Sequence, residues 1–268
     1  SGLTSNNYNI SFVDGKLTIN KKDLTISNIT ANNKTYDGTT TATLSNIGTL
    51  VGLVTGEDLV LNNPTSVIFS SKDVADGITV TASGYTIADK DSFKASNYNL
   101  LDTSKTTTAN ISKASLTATL NDNSKTYDGT SYSGGNGITF NGFVNGETAS
   151  LLGGNLVYSG TSQGAKDAGN YIISGSGLTS NNYNISFVDG KLTINKKDLT
   201  ISNITANNKT YDGTTTATLS NIGTLVGLVT GENLVLNNPT SVIFSSKDVA
   251  DGITVTASGY TIADKDSF

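Results

Sequence analysis

The chain has 268 residues, a net charge of −5, and no cysteine, histidine, methionine or tryptophan, and all of its basic residues are lysine. The missing cysteine excludes disulfides, a thiolate nucleophile and cysteine metal sites, and the missing histidine removes the commonest general base. No basic patch is present, which argues against nucleic-acid binding, and no apolar run approaches the roughly 20 residues that span a bilayer. We therefore expect that the chain is not an enzyme, has no catalytic residues and binds no cofactor.

Short alternating runs dominate the pattern. Tyr8–Val13, Asp14-Gly15 and Lys16–Ile19 predict a two-residue β-hairpin, because Asp-Gly supplies the positive φ angles of a type I′ turn. Leu24–Ser27 and Ile78–Ala82 place apolar residues at every second position, as half-buried strands do. Further Asp-Gly turn signals follow at 37–38, 76–77 and 128–129, and the hairpin pattern returns at Tyr183–Ile194.

No segment shows a sustained helical period, so we predict an all-β protein with six to eight short strands per repeat and little or no helix. Tandem antiparallel β-sandwiches of immunoglobulin-like type are the favoured architecture, and smaller β-grasp-like sheets are the alternative. In the first repeat the expected core adds four residues to the alternating aliphatic ones: Tyr36, Val54, Phe69 and Tyr85.

The chain is internally repetitive on two scales. Residues 1–93 recur as residues 176–268 with one difference, Asp58 against Asn233, at an offset of 175 residues. Within this long repeat, Lys34-Thr35-Tyr36-Asp37-Gly38 returns at Lys125–Gly129 and at Lys209–Gly213. The offset suits two small domains rather than a solenoid unit, and the pattern predicts a piece of a longer tandem array.

Two related domain types therefore alternate, and we name them A and B. Residues 1–21 correspond to the C-terminal hairpin of a B repeat, 22–112 form the first A repeat, 113–196 the B repeat, and 197–268 a second A repeat that is truncated at its C-terminal end. The short junctions, without Gly/Ser or Pro-rich linkers, predict closely coupled neighbours. Residues 1–21 of a neighbouring molecule could complete the open second A repeat; alternatively, these cut points are permuted relative to the folding unit.

The motifs resemble known repeat families. Lys-Thr-Tyr-Asp-Gly-Thr-Thr at 34–40, followed by Gly-Leu-Val-Thr-Gly-Glu at 52–57, resembles the YDG domain of bacterial surface adhesins. Residues 142–149, 167–171, 177–183 and 188–194 are similar to the related MBG repeat. The resemblance implies a segment from the stalk of a large secreted adhesin of the filamentous-haemagglutinin-like kind, and it supplies no catalytic residues.

Several residue groups are candidates for chemistry. We interpret Tyr-Asp-Gly as structural, with Tyr36 packed, Asp37 capping its own turn and Gly38 left-handed. Carboxylates at Asp89-Lys90-Asp91 and Asp73–Asp76 could bind calcium, although solvated turn carboxylates explain them better.

Three further possibilities concern modification and glycan binding. A Lys–Asn amide crosslink needs a lysine, an asparagine and a carboxylate together, and the residue types are provided by Lys34 and Lys125 beside Asn33, Asn123, Asp37 and Asp128. Sequons at Asn9, Asn28, Asn33 and Asn110 are expected by chance in such a composition. A glycan groove would need exposed aromatic residues, for which the B repeat offers Tyr132, Tyr158 and Tyr171, although strand packing is the favoured account.

The expected role is mechanical. The repeats are predicted to form a semi-rigid spacer on a bacterial cell surface that projects a distal region for cell adhesion or biofilm formation. The expected partners are the neighbouring repeats of the same chain, and host or matrix surfaces through other regions; no nucleic acid and no membrane insertion are expected, and the particle is predicted to be monomeric. The alternatives are that the repeats bind glycan or matrix themselves, with avidity from copy number, or associate laterally through strand edges.

Overall fold

The structure is a computed structural model, and it describes residues 2–264. In this part of the chain the regular secondary structure consists of β-strands and two three-residue 3-10 turns, Ala95–Asn97 and Ala149–Leu151. None of the described helices is long and apolar enough to cross a membrane. The predicted all-β array of small sheets is confirmed.

The first A repeat contains eleven strands, more than the six to eight predicted, because several are only two residues long. They are β1 (Lys22–Ser27), β2 (Thr30–Ala31), β3 (Lys34–Thr35), β4 (Leu44–Asn46), β5 (Thr49–Val51), β6 (Val60–Leu61), β7 (Ser66–Phe69), β8 (Ala75–Ser83), β9 (Ile87–Ala88), β10 (Tyr98–Leu100) and β11 (Ser104–Ser112).

Two sheets dominate this repeat. One has the order β10-β1-β5 and the other β3-β11-β8-β7. The last two strands of the repeat pair parallel with early ones, β10 with β1 and β11 with β3, whereas β11 and β8 pair antiparallel. Strand β11 therefore lies inside its sheet, so the end of the repeat holds its beginning in place.

The B repeat contains seven strands: β12 (Ala114–Leu120), β13 (Asn123–Thr126), β14 (Ile138–Asn141), β15 (Gly153–Ser159), β16 (Gly169–Thr179), β17 (Tyr183–Val188) and β18 (Gly190–Asn195). They form a three-stranded sheet, β14-β12-β17, and a four-stranded sheet, β13-β18-β16-β15. As in the A repeat, the last strand lies inside its sheet and pairs parallel with an early one, β13.

The second A repeat contains β19 (Thr200–Ser202), β20 (Thr205–Ala206), β21 (Leu219–Asn221), β22 (Thr224–Val226), β23 (Leu234–Leu236), β24 (Ser241–Phe244), β25 (Val255–Ser258) and β26 (Ile262–Asp264). All of its sheets are two-stranded. Strand β25 has four residues where its counterpart β8 has nine, because β8 also pairs with β11 and this repeat has no counterpart of β11.

The chain divides into two compact units. The first consists of Ser1–Thr117, Phe140–Gly153 and Thr179–Ser186, and the second of Ala118–Thr139, Gly154–Leu178 and Phe187–Phe268. Each unit thus holds one A repeat together with part of the B repeat. The main core of the first unit surrounds Tyr36, Phe69, Val80, Leu116 and Tyr183. The core of the second surrounds Leu120, Ile173, Leu192 and Ile194.

The predicted hairpin at Tyr183–Ile194 is wrong. Strands β17 and β18 belong to different sheets, and Asp189 only connects them. Gly190 does not have a positive φ. Its small size is needed instead for close approach, since a Cβ there would lie 2.6 Å from the carbonyl oxygen of Leu120.

The identical sequence near the start of the chain adopts no strand at all. Residues 2–21 repeat residues 177–196, yet Leu17 is 87% exposed whereas its counterpart Leu192 is fully buried. Strands β17 and β18 pair with β12, β13 and β16, and the chain holds one set of these three strands. The hairpin predicted at residues 8–19 is therefore also wrong, because these residues lack partner strands.

Two smaller expectations are corrected as well. Asp76-Gly77 is not a turn but part of β8, opposite a register shift between Ala109 and Ile111, where Gly77 has a φ of 64°. Of the predicted core residues, Tyr36, Phe69 and Tyr85 are buried, whereas Val54 is 46% exposed. Val54 begins the turn that is closed by the bond from the N–H of Glu57 to its carbonyl.

Candidate functional site: the repeat junctions

The Tyr-Asp-Gly turn has the structural role that the sequence predicts. Oδ1 of Asp37 accepts hydrogen bonds from the backbone N–H of Thr39, at 2.9 Å, and from Nζ of Lys34, at 2.7 Å. These bonds hold the pKa of Asp37 below its usual value, because they outweigh the opposing effect of burial. Gly38 has a φ of 75°, which only glycine adopts without strain. These contacts define the turn that directly follows Tyr36.

Tyr36 meets a carboxylate from the next repeat. Its hydroxyl donates to Oε1 of Glu147 at 2.6 Å, and the hydroxyl of Tyr183 donates to Oε2 of the same carboxylate at 2.5 Å. Nζ of Lys72 lies 3.1 Å from the Tyr36 oxygen and 3.4 Å from Oε1 of Glu147. The side chain of Glu147 is only 10% exposed. A nearly buried charge thus has three partners, as such a charge requires.

The titration of Glu147 reflects this setting. Burial alone would raise the pKa of its carboxyl group, but the hydrogen bonds from Tyr183, Tyr36 and Lys72 outweigh burial and lower it. Conversely, burial and the bond to Glu147 raise the pKa of the Tyr183 hydroxyl. The charged acceptor and the neutral donors therefore stabilise each other's protonation states at neutral pH.

Aromatic packing and amide contacts complete this junction. Tyr36 and Tyr183 pack edge to face at 5.5 Å between ring centroids, and Phe143 packs likewise on Tyr183 at 5.4 Å. The Asn182 side chain accepts from the backbone N–H of Val74 at 3.0 Å and donates to the carboxylate of Asp73 at 2.9 Å. The A repeat and this part of the B repeat therefore share one core and one hydrogen-bond network.

The second compact unit repeats the arrangement with the next pair of motifs. Tyr127, in the Lys-Thr-Tyr-Asp-Gly turn of the B repeat, donates a hydrogen bond to Oε1 of Glu232 in the second A repeat. This bond is the largest cause that raises the pKa of Tyr127 to about 12. A Cβ on Gly129 would lie 3.0 Å from Cγ1 of Val229, so the turn and the acceptor loop pack closely. In both junctions the motif tyrosine of one repeat bonds the Gly-Glu glutamate of the next.

Within residues 2–264, the corresponding glutamate of the first A repeat is bonded only from its own repeat. Tyr98 donates to Oε2 of Glu57, and the backbone N–H of Val54 donates to the Tyr98 oxygen at 3.2 Å. Tyr183 has the same two contacts in the B repeat, with Glu147 and with Val144. The own-repeat tyrosine therefore binds Oε2, and the tyrosine of the preceding repeat binds Oε1.

Two of the candidate calcium ligands, Asp73 and Asp89, bond other groups in the structure. Asp89 pairs with Lys94 at 3.0 Å and accepts from the backbone N–H of Ala95, and Asp73 bonds Asn182. Between residues 2 and 264, no three acidic side chains gather into a group that could hold a metal ion. The expectation that the chain binds no cofactor stays a prediction.

Each candidate crosslink lysine bonds the carboxylate of its own turn, whereas the candidate asparagines Asn33 and Asn123 bond other groups. Nζ of Lys34 bonds Asp37, Thr39 and Thr41, whereas the Asn33 side chain accepts from the backbone N–H of Asn110. Likewise, Lys125 bonds Asp128 and Thr130. The lysine and the asparagine are thus held by separate partners.

The three candidate glycan-stacking tyrosines all pack against the core of the second compact unit. Tyr132 accepts from Asn123 at 2.9 Å, Tyr158 accepts from the N–H of Gly137 at 3.1 Å, and Tyr171 donates to the carbonyl of Asp167 at 2.9 Å. They form strand packing rather than an open groove.

The sequence reasoning missed the glutamates of the junctions. Glu57, Glu147 and Glu232 stand at the same place in the Gly-x-Val-x-Gly-Glu motif, which was used only as a landmark of the repeats. The available signal was that a glutamate recurs 20 or 21 residues after the motif tyrosine in every repeat. The pairing across repeats needed the fold.

Comparisons with known proteins agree with the motifs. The family model described as YDG domain matches residues 20–109 and 195–267, which is more than half of the chain. The model described as MBG domain (YGX type) matches residues 116–193. A search of curated proteins found no match. The chain therefore belongs to the YDG domain family, with an MBG domain of the YGX type in tandem between its two YDG domains.

Proposed function

We propose that this chain is a spacer segment of a repetitive bacterial surface adhesin, where it projects a distal binding region for cell adhesion or biofilm formation. The proposal places it outside the cell and assigns it no catalysis. Tandem YDG and MBG domains support its origin in a larger repeat protein. The composition, without histidine or cysteine, supports a mechanical role.

The observation that carries the proposal is the junction network around Glu147. A spacer has to resist bending where its domains meet, because a flexible linker there would shorten its reach. Here the motif tyrosine, the lysine and the carboxylate lie in one nearly buried cluster inside a single compact unit. A repeat that served only to carry an independent binding site would not need its most regular motif at the boundary with its neighbour.

Small-angle scattering of the purified chain tests this role. A spacer should give the profile of an elongated particle that is unchanged by dilution and by a chelator. The matched comparison is Glu147→Ala against Glu57→Ala, since Glu147 bonds a tyrosine of another repeat and Glu57 bonds a tyrosine of its own repeat. Greater flexibility in the first variant alone is expected. A flexible profile in the unmodified chain would refute the spacer role, and growth with concentration would favour self-association.

A further inference from the structure

The surface of the second A repeat that receives Tyr127 is well defined. The residues that line the pocket around the tyrosine on the A side include Leu199, Gly227, Leu228, Val229, Glu232 and Leu234. The glutamate is placed by a tight turn in which the N–H of Glu232 donates to the carbonyl of Val229 at 3.0 Å.

The first A repeat presents the same surface. Its sequence is identical at all six counterparts, which are Leu24, Gly52, Leu53, Val54, Glu57 and Leu59. The turn also has the same geometry, with a bond of 2.9 Å from the N–H of Glu57 to the carbonyl of Val54, and φ angles of 107° at Gly52 and 105° at Gly227. The acceptor loop is therefore formed without a tyrosine in place.

Two features show that this first copy is open. Val54 is 46% exposed and is more exposed than its counterpart Val229, which lies beside Gly129. Glu57 accepts from Tyr98 through Oε2, and within residues 2–264 its Oε1 accepts no hydrogen bond. Oε1 is the oxygen that takes the tyrosine of the preceding repeat at both Glu147 and Glu232.

We propose that this surface of the first A repeat binds the Lys-Thr-Tyr-Asp-Gly turn of another MBG-type repeat, whose tyrosine donates to Oε1 of Glu57. The identical surface at Glu232 holds such a turn, and it is this occupant, rather than the A-type turn around Tyr36, that the A-type acceptor receives here. Every boundary in an alternating array would then use the same tyrosine–glutamate bond.

The chain offers a direct way to build the test. Because residues 1–21 repeat residues 176–196, placing a second copy of residues 113–175 directly before Ser1 completes an MBG repeat in front of the first A repeat. Hydrogen–deuterium exchange then reports on the loop around Glu57. Peptides that include Asp58 differ in mass from those of the second A repeat, which carry Asn233, so the two loops are read separately.

We expect the backbone N–H groups of Leu53–Leu59 to exchange more slowly in the extended chain than in the 268-residue chain. In the added repeat, a Tyr→Phe change at the counterpart of Tyr127 should remove most of this protection from exchange. Glu57→Gln should have the same effect. The added repeat with the native tyrosine is the control and should retain the protection. Phenylalanine preserves the ring, so both versions should fold.

Two results would overturn the proposal. Exchange around Glu57 could be unchanged by the added repeat, which would mean that the surface stays empty. Alternatively, the Tyr→Phe version could protect as well as the native one, which would mean that the tyrosine–glutamate bond does not form. The scattering experiment is independent of both, because docking could occur in a protein whose function is not to act as a spacer.

Discussion

The carboxylate of Glu147 offers the most informative single substitution. Glu147→Gln keeps the shape of the side chain but removes the charge that two tyrosine hydroxyls bond, at 2.6 and 2.5 Å. A hydrogen bond to a charged group contributes about 1.5–3 kcal/mol to stability, and one between neutral groups about 0.5–1.5 kcal/mol. Losing the charge from two bonds should therefore lower the free energy of unfolding of the first compact unit by about 2 kcal/mol.

Calorimetry measures this effect, with Glu57→Gln as the matched control. A loss of about 2 kcal/mol corresponds to a fall in Tm of roughly 4–8 °C for a unit of this size. Glu57 has one tyrosine partner where Glu147 has two, so its substitution should have about half the effect. If Glu147→Gln shifts Tm no more than Glu57→Gln does, the bond across the repeats contributes nothing and the reasoning fails.

Three further predictions follow from the same contacts. The pKa of Glu147 is lower in the folded state, so its contribution to folding stability is complete above the unfolded-state pKa and is lost as the pH falls through the folded-state pKa. The Tm difference between wild type and Glu147→Gln should therefore shrink in acid, and a constant difference would contradict this. Since the pKa of Tyr127 is raised to about 12, its contribution should be lost between about pH 10 and pH 12, and urea unfolding of Tyr127→Phe across that range should depend less on pH than wild type does. Gly38→Ala should destabilise the protein more than Gly213→Ala does, by about 1–3 kcal/mol in urea unfolding. Both glycines have a φ near 75°, but a Cβ at position 38 would lie 2.8 Å from the Cβ of an asparagine of the next repeat, whereas nothing lies within 4 Å of a Cβ at position 213. Equal losses of stability would show that only backbone strain matters.

The sequence predicted the local features that depend on neighbouring residues. Alternating apolar residues located β1 and the main part of β8, and the Asp-Gly signal correctly placed the left-handed glycine at Gly38. These features follow from side-chain periodicity and from the φ angles that glycine permits, which the sequence shows directly.

The features that depend on distant partners were not predictable in this way. Asp189-Gly190 has the sequence of a hairpin turn, but β17 and β18 find better partners in two different sheets. Val54 is apolar and was expected in the core, yet it is 46% exposed beside the turn that the bond from the N–H of Glu57 to its carbonyl closes. The bond from Tyr36 to Glu147 joins residues 111 positions apart, and no local pattern encodes that distance.

The position of the last strand in each repeat has a consequence for the order of folding. Strand β11 closes the first A repeat between β3 and β8, and β18 closes the B repeat between β13 and β16. A chain that emerges from its N-terminal end cannot finish either sheet until these final residues are free. In the second A repeat, where the described residues include no counterpart of β11 or of a following B repeat, Tyr211 is 57% exposed, whereas its counterpart Tyr36 is buried. Each repeat would therefore complete its fold in a single late step and become a stable neighbour for the next only after its own last strand has arrived.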